Sequence, residues 1–164
     1  MSSAEGDAAA TRRVEDSRAV LTTTVLPADT NSYGNIFGGA LVALIDKIAS
    51  ITAFRHARKN VVTASIDRLD FHEPVRLGDI LTLRSWINYV GRSSMEIEVD
   101  VTTEDRLSGE GLRACSAYLT FVAIGDGGRP TPVPRLELEG DDETRRFEAG
   151  AQRCADRRAS KTEP

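Results

Sequence analysis

The chain has 164 residues, with 21 Lys and Arg against 25 Asp and Glu, so its net charge is −4. A single domain is expected, because domains usually hold about 100–200 residues, and a 40% hydrophobic content is enough to form its core. The mild acidity, without a basic stripe, argues against proteins that bind nucleic acids or membrane surfaces through positive charge.

Residues 1–18 are predicted to form a disordered tail, because small polar residues of mixed charge bury little surface. Acidic residues stand where a signal peptide needs positive charge, and no apolar segment follows them. A strand is predicted over residues 19–26, which are rich in Thr, Val and Leu and end at Pro27. A turn-rich loop over residues 28–34 then leads to a Phe-Gly-Gly sequence at residues 37–39.

One long helix is predicted over residues 40–57, since apolar residues recur there every three or four positions. Four strands are predicted after it, from alternating or continuous apolar residues, at 61–69, 80–90, 95–101 and 114–124. Short turns favour antiparallel neighbours, and a broadly apolar helix favours a sheet wrapped around it. The sequence therefore predicts an α+β fold, with about five to six antiparallel strands around one helix.

Residues 137–164 are predicted to form a charged tail. An acidic run is followed by an Arg-rich segment, and Gly150 interrupts the stretch that could form a short helix. The composition favours a solvated tail, which leaves the domain between residues 19 and 136. The two cysteines, Cys115 and Cys154, form no paired motif, which indicates a reducing compartment and a cytoplasmic protein.

The candidate catalytic residues lie in the loop before the helix and in the helix itself. Glycines at the helix start leave backbone amides open to an anion or a developing oxyanion, and Gly39 is the main candidate. Asp46 lies within an apolar helix, where a carboxylate needs a partner or a role. Each candidate also has a structural interpretation: a tight turn for the glycines, an exposed position for Asp46, and a turn or cap for Asn31.

The spacing of two candidates has a geometric consequence. Gly39 and Asp46 are seven positions apart, which is about 10 Å along a helix. One copy of the chain therefore cannot direct both groups at one reacting carbon. If the two groups cooperate, the sequence predicts an active site that is shared across a symmetric dimer.

The two histidines carry less information. His72 lies in a Phe-His-Glu-Pro sequence without a second His at the spacing of zinc ligands, so no metal site is predicted. His56 lies at the end of the helix, where the helix dipole favours a positive charge. A structural role is therefore predicted for His56.

Several collinear motifs resemble the hotdog-fold acyl-CoA thioesterases, in particular the YciA and brain acyl-CoA hydrolase group. They are LPADTN at 26–31, FGG at 37–39, VTASID at 62–67, FHEPV at 71–75 and VGRSSME at 90–96. The resemblance covers about residues 19–136. It implies a hotdog fold, an enzyme that hydrolyses acyl-CoA to free acid and CoA, and no cofactor, since CoA is part of the substrate. It also implies a homodimer, commonly assembled into a trimer of dimers.

The resemblance implies roles for individual residues as well. Asp46 would be the acid/base or the nucleophile, Asn31 would assist from the other subunit, and the Gly39 amide would polarise the thioester carbonyl. Two short segments would line the CoA arm: Thr63, Ala64 and Ser65, and Arg92, Ser93 and Ser94.

Two other functions remain open at this point. A non-hydrolytic acyl-CoA-binding sensor on the same fold would usually carry a DNA-binding helical module, and residues 1–18 are too short and too polar to form one. A hydratase would need a His as base near the helix. His56 and His72 are the candidates, but neither lies between Asn31 and Asp46. The sequence therefore favours an acyl-CoA thioester hydrolase.

Overall fold

The computed structural model describes residues 10–160. Within them the chain forms one main sheet, a small second sheet and two α-helices. The strands are β1 (Thr11–Arg13), β2 (Ala19–Thr24), β3 (Asn60–Phe71), β4 (Ile80–Val90), β5 (Ser94–Glu104), β6 (Gly111–Ile124) and β7 (Arg135–Glu137). The helices are α1 (Gly38–Ala57) and α2 (Gly140–Ser160).

The main sheet has five strands in the order β2-β4-β5-β6-β3, and every neighbouring pair is antiparallel. The predicted α+β class and the predicted antiparallel sheet are confirmed. One expectation about neighbours is wrong, because β3 and β4 follow each other in sequence but do not pair. Residues 72–79 cross the domain instead, and β6 lies between β5 and β3.

Helix α1 packs one face against the sheet and leaves another face open. Leu41, Ile45 and Ile48 are at most 1% exposed and belong to one core cluster with inward-facing residues of β4, β5 and β6. On the open face, Ile51 and Phe54 are 40% and 45% exposed. The helix is therefore covered by the sheet on one side, and it presents apolar side chains on the other.

Both segments that were predicted to be tails are ordered where the structure describes them. β1 pairs with β7 in parallel, and Val14 and Ser17, which follow β1, are buried. Helix α2 covers the outer face of the main sheet, opposite α1. The prediction of disordered or solvated ends is therefore wrong for residues 10–18 and 137–160. Residues 1–9 and 161–164 lie outside the described part of the chain.

Charged side chains attach α2 to the sheet. Arg153 forms a bidentate ion pair with Glu96 of β5, with 2.7 Å between Nη2 and Oε1, and the Glu96 side chain is 1% exposed. Arg146 lies over the ring of Trp86 at 5.0 Å. The outer face of the sheet therefore provides a carboxylate and an aromatic ring as partners for the arginines of α2.

Gly150 allows this close approach. A Cβ atom at Gly150 would lie 2.8 Å from the Cβ of Tyr89 and 3.0 Å from Oε1 of Glu96. The glycine that suggested a broken helix in the sequence is therefore the residue at which α2 comes nearest to the sheet. Its cost to helix propensity is about 1 kcal/mol, and the contacts on either side of it offset that cost.

His56 lies in the last turn of α1, fully buried, with Nε2 at 2.9 Å from the carbonyl oxygen of Pro134. Burial lowers the pKa of His56, and the charge of Arg12 lowers it further. The hydrogen bond to Pro134 and the charge of Asp16 oppose this shift. A buried imidazole with one acceptor is more stable in its neutral form, so burial outweighs the preference of the helix dipole for a positive charge at this position.

The stability of the fold should therefore fall in mild acid. Below the ordinary His pKa of about 6.5 the unfolded chain binds a proton that folded His56 does not, so unfolding becomes more favourable as the pH falls. Urea unfolding between about pH 7.5 and pH 5.5 should show this slope in the wild type and in His72→Gln, whose ring is exposed. The slope should be smaller in His56→Gln. An equal slope in all three proteins would contradict the assignment.

The two cysteines lie on different sides of the sheet. Cys115 of β6 is in the core between the sheet and α1, and burial raises the pKa of its thiol to about 11. Cys154 is 6% exposed and lies on α2. Both are free thiols.

Candidate active site

Asp46 lies on the flank of α1 beside the edge strand β3. The hydroxyl of Thr63 donates a hydrogen bond to Oδ1 of Asp46, with 2.7 Å between the oxygens. Thr63 lies opposite Phe121 in the β3–β6 pair, and opposite residues of an antiparallel pair share a face, so Thr63 is on the side of α1. The carboxylate is partly exposed, and Oδ2 remains for a substrate or a water molecule.

The start of α1 offers unpaired backbone donors. The helix has no side-chain cap at Phe37 and no acidic residue in its first turn. The carbonyl of Phe37 accepts from the amides of Ala40 and Leu41 at 2.9 and 3.1 Å. Among the described residues, the amides of Gly38 and Gly39 have no acceptor. Such amides, together with the helix dipole, favour an anion at this point.

A glycine is needed at residue 39 because a side chain would collide with a neighbouring residue, and not because the backbone has an unusual φ angle. A Cβ atom at Gly39 would lie 2.9 Å from Cε1 of Phe37. The Phe37 ring is 61% exposed and therefore borders the site at which a group on these amides would bind. A side chain at residue 39 would displace this ring.

Asn31 organises the loop before the helix. Its Oδ1 accepts hydrogen bonds from the amides of Tyr33 and Asn35 at 2.9 and 3.2 Å. The turn-forming role considered from the sequence is therefore present. It uses only the oxygen of the side chain, so the NH₂ group is the part that can serve a substrate.

The structure brings the two predicted CoA-lining segments to the same end of the sheet. Ser94 of β5 lies opposite Val122 of β6, which lies opposite Val62 of β3. Only β6 separates the segments 63–65 and 92–94, so they are roughly 10 Å apart. The turn that holds Arg92 also borders a cavity of about 570 Å³, which Phe147 of α2 lines from the other side.

The candidate catalytic groups form two separate sets in one copy of the chain. Thr63 contacts Asp46 in the middle of α1, whereas the loop of Asn31 leads to the start of the helix at Gly39. Because α1 is continuous, Gly39 and Asp46 are about 10 Å apart along its axis. The contact of Thr63 with Asp46 was missed in the sequence, where Thr63 is only a residue of the CoA-lining segment.

Within residues 10–160, no three His, Cys, Asp or Glu side chains are grouped so that they could bind a metal ion. In the same part of the chain, neither helix has the length and hydropathy that crossing a membrane requires.

The sequence is similar to known proteins over most of its length. The family model described as the thioesterase superfamily matches residues 33–110. The uncharacterized acyl-CoA thioester hydrolase YkhA of Bacillus subtilis is 42% identical over 151 residues, which are 92% of this chain and 88% of that protein. The cytosolic acyl coenzyme A thioester hydrolase of Rattus norvegicus is 38% identical, and the match covers 92% of this chain but only 41% of the rat protein.

Solved structures show the same similarity. An apo-hexameric acyl-CoA thioesterase superimposes with a TM-score of 0.89 and 41% identity, covering 94% of this chain and 99% of the other. The acyl-CoA hydrolase of Staphylococcus aureus, solved with butyryl coenzyme A and coenzyme A, has a TM-score of 0.85 and 40% identity over 92% of each chain. Three variants of the S. aureus protein, with an Asn, an Asp or a Thr replaced by Ala, match as well.

Proposed function

Because the chain belongs to the thioesterase superfamily, and within it to the acyl-CoA thioester hydrolases, we propose that it hydrolyses acyl-CoA to a free acid and CoA at a site built on Asp46. The observation that carries this proposal is the hydrogen bond from Thr63 to Asp46. It fixes one carboxylate oxygen and leaves the other for the reaction. The uncapped amides of Gly38 and Gly39 provide the matching site for a carbonyl oxygen.

The spacing of three residues supports this site. The Asn, the Asp and the Thr that were altered in the S. aureus hydrolase follow one another along its chain in that order. Asn31, Asp46 and Thr63 follow one another in the same order in the present chain, and both separations between neighbours equal those in the relative. The residues that were altered in the relative are therefore of the same types and at the same spacing as these three.

The chemistry follows from the groups available. The Gly39 amide and the NH₂ of Asn31 stabilise the oxygen of the thioester carbonyl as it becomes negative, a contribution of roughly 3–4 kcal/mol per donor. Asp46 either removes a proton from water or attacks the carbonyl carbon to give an anhydride. In the first case the C–S bond breaks as water adds to the carbonyl carbon, and the proton held by Asp46 passes to the sulfur of CoA. In the second case CoA leaves as the thiolate when the anhydride forms and takes a proton from water, and a second water molecule hydrolyses the anhydride to the free acid and the Asp46 carboxylate. These side chains and amides supply every group that the hydrolysis needs, so we propose no cofactor.

The two mechanisms for Asp46 are distinguishable with water enriched in heavy oxygen. In a single turnover, hydrolysis of an anhydride at the Asp46 carbonyl carbon places the label in the protein. General-base catalysis places it only in the released acid. Mass spectrometry of the peptide that contains Asp46 reads this difference.

We propose that two copies of the chain pair through β3 and α1, as in a dimer of the hexamers named among the structural relatives. β3 is an edge strand with one side open to further pairing. Its apolar side chains and those of the open face of α1 are between 40% and 56% exposed: Ile51, Phe54, Val62, Ile66 and Phe71. Burying them in a second copy would align Asp46 of one copy with Gly39 and Asn31 of the other. We expect three such dimers to assemble.

The two segments at the end of the sheet are proposed to bind the CoA arm. Extended backbone at residues 63–65 suits the amides of pantetheine, and Arg92 beside Ser93 and Ser94 suits a phosphate. The rat relative is named a cytosolic enzyme, and both cysteines are free thiols. A cytoplasmic location is proposed on these grounds.

Thiol release tests the activity, and mixing of inactive variants tests the shared site. Wild-type protein should release CoA from at least one ester in a panel that runs from short to long and aromatic acyl groups. Asp46→Ala and Asn31→Ala, each inactive alone, should recover about a quarter of wild-type activity when unfolded together and refolded. Random pairing gives one copy of each variant in half of the dimers, and one of the two sites in each of these mixed dimers is intact.

The matched control mixes Asp46→Ala with Thr63→Val. Asp46 and Thr63 are contributed to a site by the same copy of the chain. Every site in a mixed dimer therefore lacks one of the two, and activity should not return. If neither mixture recovers, the shared site is wrong. If wild-type protein binds CoA but hydrolyses no ester, the protein is an acyl-CoA sensor rather than an enzyme.

A further inference from the structure

β3 does not run regularly along β6. Its pairing contains an extra residue after Thr63, which is Ala64, and another after Ile66, which is Asp67. The extra residue of a bulge has no partner across the strand, and the strand bends there. β3 is also an edge strand of this chain, so the ladder holds it from one side only. Within one copy of the chain, the backbone around Thr63 therefore depends on side chains for further support.

Asp67 provides such support on the outer face of the sheet. Its Oδ1 accepts a hydrogen bond from Ser65 at 2.6 Å, and its Oδ2 accepts one from Thr120 of β6 at 2.8 Å. Arg157 of α2 forms an ion pair with the same carboxylate. The side chains of Asp67 and Arg157 are only 15% and 19% exposed, so water and salt screen this pair weakly.

These contacts lie on the opposite face from the proposed site. Thr120 and Phe121 are consecutive residues of β6, so their side chains point to opposite faces. Phe121 is in the core and lies opposite Thr63. Thr120 is on the side of α2 and binds Asp67. The bulged segment is thus bound to Asp46 from one face and to α2 and β6 from the other.

We propose that Asp67 is a positioning residue, which fixes the bulged segment of β3 from the outer face so that the Thr63 hydroxyl stays on Asp46. Arg157 makes helix α2 part of this support. The inference rests on the proposed hydrolase function. A displacement of about 1 Å at a catalytic group can reduce turnover about a hundredfold, so a distant contact of this kind has a measurable effect.

Asp67→Asn tests the proposal, because it keeps the size of the side chain and removes the charge that binds Arg157. We expect kcat for acyl-CoA to fall about tenfold to a hundredfold. KM should rise as well, because Asp67 also holds Ser65 of the segment proposed to bind CoA. Thr120→Val removes one donor without changing α2 and should lower kcat in the same direction. Arg157→Gln should lower kcat. Arg157→Lys keeps the positive charge and should retain most of the wild-type kcat.

Asp70→Asn is the matched control, since Asp70 lies further along β3 on the same face and pairs only with exposed Arg68 among the described residues. Its kcat should equal that of the wild type. Hydrogen exchange provides a readout without catalysis: amides of residues 62–67 should exchange faster in Asp67→Asn and not in Asp70→Asn.

Two results would overturn the inference. One is a lower melting temperature for Asp67→Asn with unchanged kcat, which would make Asp67 merely stabilising. The other is equal exchange in the two Asn variants. Wild-type protein without hydrolase activity is a different failure, because it removes the proposed function, and the exchange experiment would still report whether Asp67 supports β3.

Discussion

Asp46→Asn and Asp46→Ala should each reduce the turnover of acyl-CoA by roughly 10²–10⁴-fold, the range expected for the loss of a general base. Asp46→Asn is the more specific test, because the amide oxygen of Asn can still accept the hydrogen bond that Thr63 donates to Oδ1 of Asp46. Asn cannot take a proton from water or attack a thioester. Initial rates of thiol release with saturating substrate measure the change in kcat.

The control for this prediction is Asp126→Asn, which removes an exposed carboxylate in the turn after β6. It should leave kcat unchanged. Binding of CoA to both Asp46 variants should persist, which would show that the fold and the CoA-binding segments are intact. Activity of Asp46→Asn within threefold of the wild type would show that another group performs the chemistry.

Arg153→Met should be among the most destabilising single changes in the chain. It leaves the carboxylate of Glu96, which is 1% exposed, without its ion partner. Breaking a buried pair from one side costs about 3–5 kcal/mol, and the lower end applies here because the Arg153 side chain is 32% exposed. The melting temperature should fall by roughly 6–12 °C.

Two further variants separate the buried charge from the helix as a whole. Arg145→Met removes a charge from the same helix, but its pair with Asp142 is exposed on both sides, so the effect should be below about 1 kcal/mol. Glu96→Met combined with Arg153→Met should recover most of the lost stability, since an apolar pair of similar volume can replace a buried ion pair. A double variant as unstable as Arg153→Met would contradict the explanation.

Periodicity was sufficient to predict the elements of the domain. Apolar spacing placed α1 and the strands β2 to β6 close to their observed bounds, because each packs one face into the core and the repeat records that face. Apolar spacing could not predict that β3 pairs with β6. This pairing joins segments that are separated in the sequence by both β4 and β5, and nothing local in residues 72–79 marks the crossing to β4.

The candidate site was predictable only as residue types near the helix. Asn31, Gly39 and Asp46 could be selected because glycines before an apolar helix and a carboxylate within it are unusual. The contact of Thr63 with Asp46 depends on which strand flanks α1, and that is a property of the sheet order. The support from Asp67 depends further on two bulges, which alternation alone does not reveal.

Helix α2 was missed because arginines share its inner face with only a few apolar residues, among them Phe147 and Cys154. Its arginines at 146, 153 and 157 recur at the spacing of one helix face. Their partners lie on three different strands: Trp86 of β4, Glu96 of β5 and Asp67 of β3. The spacing of these arginines was the available signal, and a search for apolar residues does not detect it.

The positions of the two cysteines make it possible to follow unfolding of the protein by time-resolved alkylation of its thiols. Neither thiol should react in the native state, so a thiol reagent that follows CoA release sees little background from the protein. Cys154 lies on α2, and Cys115 lies in the core beneath α1. Alkylation of Cys154 before Cys115 would record a departure of α2 that precedes opening of the core, and simultaneous alkylation would record a single cooperative event.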